Sequence, residues 1–454
     1  MQEWVGAVDF LLRETALFAA IGFLILGLSD LALDLMWLGR AAALACRPGR
    51  RVTALDLDPG ALPGPIAVFV PAWDEARVIA RMLTHALAAY EGADVRIYVG
   101  CYPNDPDTIA AVRSVAGPQL RLVIGSAPGP TTKADCLNRI WEAMQSDEAT
   151  GGRCFAAVLL HDAEDVVHSA ELRIFPALLA RYDLVQLPVL PLLDPQSRWI
   201  AGNYADEFAE AHAKGLVVRQ AIGAALPSAG VGCAISRQAL DRLAERHGTP
   251  FDGDSLTEDY ELGLRLCQAG GRAAFVRIAA APGRPVVATR EYFPATLAAA
   301  VAQKARWIRG IALCGWERLG WSGGIAERWM RMRDRQSLLA ALLLLAAYLA
   351  LLLWTLRTAA SFSAGLPPVA IPEPLRILLM VNGGLLAWRL AMRFAFAAHA
   401  YGWREGLRAL PRTVVGNVIA MLAAREALKR YAADRGASSW DKTDHAFPQQ
   451  VPAE

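Results

Sequence analysis

Residues 155–167 read FAAVLLHDAEDVV, an apolar run that ends in the carboxylates of Asp162, Glu164 and Asp165. A short apolar run of this kind is typical of a strand that is buried on both faces of a sheet. Three carboxylates at such short spacing repel one another and cost stability unless a cation or solvent separates them. The stretch therefore predicts a core strand with a polar site at its carboxyl end.

The chain on either side alternates between short β-rich runs and helical patterns. Strand-like runs occupy residues 66–70, 96–101, 120–124 and 155–161, and helical periodicity covers residues 75–90, 133–144 and 169–181. This alternation is typical of an α/β domain with a mostly parallel sheet flanked by helices. Open sheets of that type bind ligands at the carboxyl ends of their strands, which is where the acids lie.

The composition indicates a membrane protein, since 54% of the 454 residues are hydrophobic. Residues 15–38 and 337–356 are long and apolar enough to cross a hydrocarbon core of about 30 Å as helices. Residues 375–401 are a weaker candidate because Arg389 and Arg393 fall inside them. Residues 411–431 fit an amphipathic helix in the membrane interface.

Basic clusters flank these apolar segments and set the expected topology. They are Arg40, Arg47, Arg50 and Arg51, then Arg331, Arg333 and Arg335, then Arg404, Arg408 and Arg412. Basic residues near spans lie on the cytoplasmic side, so we expect a cytoplasmic domain between membrane helices. The expected units are an N-terminal anchor and basic linker, the α/β domain, transmembrane or interfacial helices, and a polar, mobile C-terminal tail. Their boundaries are 1–60, 61–325, 326–435 and 436–454.

Cysteine spacing and net charge limit the classes of function. The seven cysteines form no CxxC pair, which argues against zinc and disulfide frameworks and favours reduced thiols. A formal net charge of +2 gives no sign of a nucleic-acid partner.

The acids of residues 161–168 allow two interpretations. One is a solvated loop in which Asp165 caps a following helix. The other is a Mg²⁺ or Mn²⁺ site in which Asp162 and Glu164, on one side of an extended segment, are oxygen ligands.

Residues 255–266, SLTEDYELGLRL, also allow two interpretations. Thr257 can cap a helix whose first turn holds acids, or one of those acids can project into a cleft as a general base.

Three further stretches carry polar or aromatic side chains at positions that suit the binding of a ligand. In residues 299–310, AAVAQKARWIRG, helical spacing puts Gln303, Arg306 and Trp307 on one face. On that face Arg306 suits bidentate binding of a phosphate, and Trp307 presents a flat apolar surface to a ligand. The alternative is a helix in the membrane interface with Arg and Trp at the level of the headgroups. Lys133 in PTTKADCLN, residues 130–138, falls in the first turn of a helix, where a phosphate partner would offset its unfavourable position. In VFVPAWDE, residues 68–75, a strand ends in Pro71 and Trp73, and Glu75 begins the next helix.

Taken in order, VPAWDE, TTKADCLN, HDAED, TED and QKARW resemble the signature of membrane-embedded family-2 glycosyltransferases, the group of cellulose, chitin and hyaluronan synthases. The resemblance is strongest to the bacteriophage-adsorption protein B type of inner-membrane glycosyltransferase, on YPND at 102–105, HDAEDVVH, and WDKTDHAFP at 440–448. It implies a glycosyltransferase-A fold, a multi-pass position in a bacterial inner membrane and a cytoplasmic catalytic domain.

The resemblance also implies a role for each matching residue. Asp162 and Glu164 would hold Mg²⁺ or Mn²⁺ on the donor diphosphate, and Asp259, beside Glu258, would be the catalytic base. The implied donor-binding residues are Trp73, Glu75, Asp105, Lys133 and Arg306, and the implied acceptor-binding residues are Gln303 and Trp307. Asp105 enters because Cys101 and Tyr102 stand where many relatives carry paired aspartates that contact uridine.

The implied activity is inverting transfer of an N-acetylhexosamine or hexose from a nucleotide sugar, expected to be a UDP-sugar. The acceptor would be a growing polysaccharide or a lipid, and QKARW favours processive synthesis, with an outer-membrane or periplasmic export partner. Non-processive transfer to a lipid, or a vestigial membrane scaffold, are the alternatives. A glycoside hydrolase also uses two carboxylates, but it explains neither the phosphate-directed basic residues nor the membrane segments.

Overall fold

The computed structural model describes residues 2–46, 52–60, 62–433 and 442–451. In that part of the chain seven strands form one sheet, in the order β3-β2-β1-β4-β6-β5-β7. They are β1 Ile66–Pro71, β2 Val95–Cys101, β3 Leu120–Ile124, β4 Ala157–Leu160, β5 Leu184–Gln186, β6 Cys233–Ser236 and β7 Ala273–Phe275. Only β6 runs against its neighbours β4 and β5, so the expected mostly parallel sheet is confirmed.

Fifteen α-helices accompany the sheet in the described residues. They are α1 Gln2–Ala45, α2 Ile79–Ala89, α3 Pro106–Arg113, α4 Lys133–Gly151, α5 Glu171–Leu179, α6 Ile200–Glu210, α7 Leu216–Ala221, α8 Arg237–His247, α9 Glu258–Gln268, α10 Leu297–Ile308, α11 Gly315–Leu319, α12 Ile325–Arg335, α13 Ser337–Ala364, α14 Glu373–Tyr401 and α15 Trp403–Ala433. Two π-helical stretches, Ala211–Gly215 and Arg309–Cys314, follow α6 and α10 directly.

The two faces of the sheet bury two separate cores, as the alternation of side chains along a strand requires. Val68 and Val70 of β1 face a core formed with α2, α3 and α5. Ala67 and Phe69 face the opposite core, formed with α4, α8 and α9. Strands β1 and β4 are buried along their whole length, which explains their unbroken apolar sequences.

Four of the described helices, α1, α13, α14 and α15, are long and apolar enough to cross a membrane by length and composition. Residues 411–431 belong to α15, and their interfacial position stays a prediction. Helix α1 packs against α13 and α14, and α15 packs against α14 and α10. Of the first basic cluster, Arg47, Arg50 and Arg51 lie outside the described residues.

Of the expected mobile tail, residues 436–454, the structure describes residues 442–451 only, and these are packed. Residues 442–451 lie against the α/β domain, where Phe447 is 8% exposed and belongs to the core on the α2 side of the sheet. Its ring lies 6.3 Å from the ring of His85. A buried aromatic side chain anchors this segment, so it forms part of the folded domain.

Candidate active site

A cavity of about 360 Å³ opens beyond the carboxyl ends of β1 and β4, with α9 and α10 on its other sides. Most of the residues expected to act in the site line it. They are Glu75, Lys133, Asp162, Glu164, Glu258, Asp259, Gln303, Arg306 and Trp307. The fold therefore brings motifs from widely separated parts of the sequence together around one cavity.

The acids after β4 lie in a turn, so the extended conformation expected for residues 162–164 is wrong. The Asp165 N–H donates to the carbonyl of Asp162 at 3.2 Å, and the Asp165 carboxylate accepts the Asp162 N–H at 3.0 Å. Asp165 is not a helix cap, since Val166 forms a β-bridge with Arg290. Asp162 and Glu164 nevertheless both line the cavity, because the turn directs them to the same side.

His161, which sequence reasoning did not single out, compensates the third acid. Its Nδ1 lies 2.8 Å from Asp165 Oδ2 and its Nε2 lies 3.1 Å from Glu171 Oε1, all fully buried. Burial alone would lower the pKa of His161, but Glu171 and Asp165 raise it to about 10. At neutral pH the ring is therefore an imidazolium that donates to both carboxylates. A histidine directly before an acid cluster was the signal available in the sequence.

Lys133 binds the first acid of the turn. Its Nζ lies 2.6 Å from Asp162 Oδ1 and 4.0 Å from Glu258 Oε1. Burial favours the neutral amine, but the charges of Asp162, Glu258 and Asp259 raise the pKa of Lys133 above its ordinary value. Lys133 also begins α4, whose N-cap is Thr132, with its hydroxyl accepting the Asp135 N–H at 3.2 Å. The cavity thus contains a partly buried ammonium at a helix N-terminus, a combination suited to phosphate.

Glu164 belongs to a second group of charges. His445 from the C-terminal segment lies between two carboxylates, with Nδ1 2.8 Å from Glu75 Oε1 and Nε2 3.2 Å from Glu164 Oε1. Lys442 also pairs with Glu75. Burial raises the pKa of Glu164 to about 8, although His445 opposes the shift.

This second group fits a divalent cation. One ligand atom from each of Glu75, Glu164 and His445 lies within 4.8 Å of the others. The second oxygen of Glu164, Oε2, is buried and has no hydrogen-bond partner among the residues that the structure describes. Carboxylate and imidazole are suitable ligands, and an unpartnered buried carboxylate oxygen lacks a positive partner.

Glu258 and Asp259 lie in the first turn of α9, as expected. Thr257 occupies the N-cap position, but within the described structure its hydroxyl makes no capping bond. Burial raises the pKa of Glu258 to about 7, with the charge of Asp259 adding to the effect. Burial also raises the pKa of Asp259. A carboxylate whose pKa approaches neutrality is a better proton acceptor for catalysis than an ordinary one.

Helix α10 presents its predicted face to the same cavity. Thr296 caps the helix by accepting the Ala299 N–H at 3.3 Å. Gln303, Arg306 and Trp307 all line the cavity, which confirms that helical spacing brings them together. The Trp307 ring packs edge-on against Tyr204, with 6.1 Å between ring centroids, and so forms a fixed wall.

Trp73 and Asp105 lie outside the cavity lining, and their donor-binding roles stay predictions. The Asp105 carboxylate accepts the Asp74 N–H at 2.6 Å and the Thr108 N–H at 3.3 Å, which caps α3. It therefore holds the positive-φ turn at Asp74 that precedes Glu75. Trp73 packs edge-on against Tyr102, with 5.3 Å between ring centroids.

Comparison with known proteins relates this site to a family. Residues 63–310 match the family described as glycosyltransferase like family 2. The chain is 36% identical over 473 residues to the bacteriophage adsorption protein B of Escherichia coli strain K12, with 96% of this chain and 62% of that protein aligned. The bacteriophage N4 adsorption protein B of Escherichia coli O157:H7 gives the same values. The chain thus spans about 62% of the length of these curated relatives.

A solved structure shows the same fold. The mannosyltransferase PcManGT from Pyrobaculum calidifontis, in complex with GDP-Man and Mn²⁺, superposes with a TM-score of 0.51 and 18% identity. The match covers 90% of this chain and 99% of that one. Because the identity is low, the likeness concerns architecture alone.

Proposed function

The chain belongs to glycosyltransferase family 2, and from that premise we propose that it transfers a sugar from a nucleotide diphosphate sugar to a glycan or lipid-linked acceptor. The observation that carries the proposal is one cavity whose lining combines partly buried cations, Lys133 and Arg306, with carboxylates of raised pKa. Transfer from a diphosphate needs positive charge for the leaving group and a base for the acceptor. Both kinds of group line this cavity.

The donor side consists of the turn after β4 and the basic side chains opposite. Asp162 and Glu164 would hold Mg²⁺ or Mn²⁺, and the unpartnered oxygen of Glu164 supports that assignment. When bound, the cation supplies positive charge beside the leaving diphosphate. Lys133 and Arg306 add fixed positive charge, so that the negative charge developing on the diphosphate meets preorganised partners.

The acceptor side consists of α9 and α10. Asp259 takes the proton of the attacking hydroxyl, and Glu258 beside it keeps the local potential negative. Trp307 provides the flat apolar surface on which a sugar ring packs, and Gln303 offers an amide for its hydroxyls. One displacement without a covalent intermediate inverts the anomeric configuration.

The substrate and setting follow from resemblance more than from geometry. We propose a UDP-sugar that carries an N-acetylhexosamine or hexose, a cytoplasmic catalytic domain at a bacterial inner membrane, processive synthesis of a polysaccharide and an export partner. PcManGT was solved with GDP-Man and Mn²⁺, which supports the classes of donor and cation.

Turnover of nucleotide sugars tests the proposal. Detergent-solubilised protein is incubated with Mg²⁺ or Mn²⁺ and a panel of nucleotide sugars, while released nucleotide and product length are measured. Release that requires both a donor and an acceptor is the expected result, with long products if synthesis is processive and single additions if a lipid is the acceptor. If no donor is turned over with either cation, the scaffold alternative replaces the transferase.

A further inference from the structure

Packing fixes the position of His445 in the cavity independently of its ion pairs. Two residues further along the chain, Phe447 is buried in the core on the α2 side of the sheet, and Val451 packs against that core. Thr443 lines the cavity together with His445. The segment 442–451 therefore forms one wall of the site, although in sequence it follows α15, the last of the long apolar helices that the structure describes.

The two nitrogens of the His445 ring have distinct surroundings. Nδ1 lies 2.8 Å from Glu75 Oε1, so when a metal ion displaces the proton of Nε2, the Nδ1–H still donates to Glu75 and the Nε2 lone pair is free to bind the ion beside Glu164. A carboxylate that orients a histidine through its second nitrogen is the usual support of a metal-binding imidazole. Lys442 holds the same Glu75 carboxylate and so stabilises the orienting group.

The separation between His445 and Glu164 matches two ligands on one ion. Nε2 and Oε1 are 3.2 Å apart. Adjacent ligands of an octahedral ion with bonds of about 2.1 Å are about 3 Å apart. Glu164 is only 3% exposed, and its other oxygen has no partner among the described side chains and backbone groups. The buried Oε2 atom costs free energy as long as it has no partner, and a metal ion would supply one.

We infer that His445 is, with Glu164, a ligand of the divalent cation, and that Glu75 orients the imidazole. The inference rests on the proposed function and deepens it, because it adds the C-terminal segment to the metal site. It also predicts the metal preference. Mg²⁺ is bound almost entirely through oxygen, whereas Mn²⁺ accepts a mixed set of oxygen and nitrogen ligands, so Mn²⁺ should bind more tightly.

Mn²⁺ binding to the purified full-length protein in detergent, without any nucleotide sugar, tests the inference. Paramagnetic resonance of free Mn²⁺ measures the affinity, and competition with Mg²⁺ measures the preference. We expect His445→Ala to weaken Mn²⁺ binding about tenfold or more, and Glu75→Gln to weaken it less. His445→Asp restores a ligand through oxygen and should narrow the preference for Mn²⁺ over Mg²⁺. His247→Ala, at an exposed histidine of α8, is the matched control and should bind as the wild type does.

Two results would overturn the inference: equal Mn²⁺ affinity in His445→Ala and the wild type, or no binding by the wild type. His445 would then only form ion pairs with Glu75 and Glu164. The proposed function fails separately. If Mn²⁺ binding depends on His445 but no nucleotide sugar is turned over, the proposed metal ligand is supported and the proposed transferase activity is contradicted.

Discussion

At Asp162, Glu164 and Asp165, three neighbouring carboxylates have three different sets of partners. Asp162 pairs with Lys133, Glu164 with His445, and Asp165 with His161. Each acid thus has a basic partner of its own, from a neighbouring or a distant part of the chain. These partners offset the repulsion among the three carboxylates that the sequence implies. Asp165 and its partner His161 are both fully buried. Asp162 and Glu164 line the cavity, so these two acids are the ones that a ligand can reach.

His161 gives a prediction at the residue scale. His161→Gln removes a buried positive charge between Asp165 and Glu171, and breaking a buried ion pair on one side costs about 3–5 kcal/mol. We expect a clear fall in the thermal midpoint of the purified protein. The Gln amide can still donate hydrogen bonds but carries no charge, so the substitution tests mainly the loss of the positive charge. A midpoint equal to that of the wild type would show that the imidazolium is unimportant.

The same residue predicts a dependence of stability on pH. The pKa of His161 is raised to about 10 in the folded protein, from about 6.5 when unfolded. A raised folded pKa means that the contribution is complete below about pH 6.5 and is lost as the pH rises through 10. The thermal midpoint of the wild type should therefore fall between pH 7 and 10, and this slope should be smaller in His161→Gln.

At the scale of elements, the loop before β6 fits closely against the start of α9. Gly230 has a φ of +75°, and a Cβ on it would lie 2.9 Å from the Asp259 carboxylate. Gly230→Ala should therefore strain the backbone and also displace the proposed base. We expect kcat to fall at least tenfold, by analogy with small misplacements of catalytic groups.

Gly223 supplies the matched control for that prediction. Its φ of +74° is nearly the same, but a Cβ there meets no described atom within 4 Å. Gly223→Ala therefore carries the backbone strain alone, about 1 kcal/mol. Similar losses of thermal stability with a loss of kcat only in Gly230→Ala would support the role of Asp259. Equal kcat in the two variants would contradict it.

Substitutions of Asp105, which follows β2, test whether its carboxylate binds the donor or stabilises the local fold. Asp105→Ala removes the cap of α3 and the acceptor of the Asp74 N–H, so we expect a stability loss of about 0.5–2 kcal/mol. Asp105→Asn keeps a capping oxygen and should retain most of the stability. If the KM for the donor rises in Asp105→Asn while stability is kept, the carboxylate contacts the donor after all.

Regular elements were predictable where local pattern determines them. Strands β1 to β4 are four to seven residues long and mostly apolar, and α10 has clear helical spacing. Strands β5 and β7 have three residues each, too few for a periodic signal. The turn at residues 162–165 was missed because its hydrogen bonds depend on Asp165 and His161. The contact between His445 and Glu75 spans 370 positions, so no local pattern could reveal it.

At the scale of the whole molecule, buried charges join α1, the first of the long apolar helices, to the α/β domain. Asp34 of α1 is fully buried, pairs with Lys214 of the π-helical stretch after α6, and accepts the Trp388 indole N–H at 2.8 Å. Arg333, before α13, pairs with Asp30 at 2.7 Å. The acids inside the first apolar segment therefore have cationic partners, which explains how the segment accommodates them.

This junction gives a prediction for the whole protein. Lys214→Met leaves Asp34 buried without its cation, which costs about 3–5 kcal/mol. We expect a lower thermal midpoint in detergent and greater protease sensitivity of the catalytic domain. Arg13→Met, which breaks the exposed pair with Glu14, is the control and should change the midpoint little. Equal effects of the two variants would mean that the junction adds no specific stability.

The rate of nucleotide release by Asp259→Asn, relative to the wild type, tests the central claim most directly. The substitution keeps the shape of the side chain and removes the proposed base, and general bases contribute about 10²- to 10⁴-fold. With a donor that the wild type turns over, we predict a loss of that size at an unchanged thermal midpoint. Nucleotide release at the wild-type rate would contradict the account.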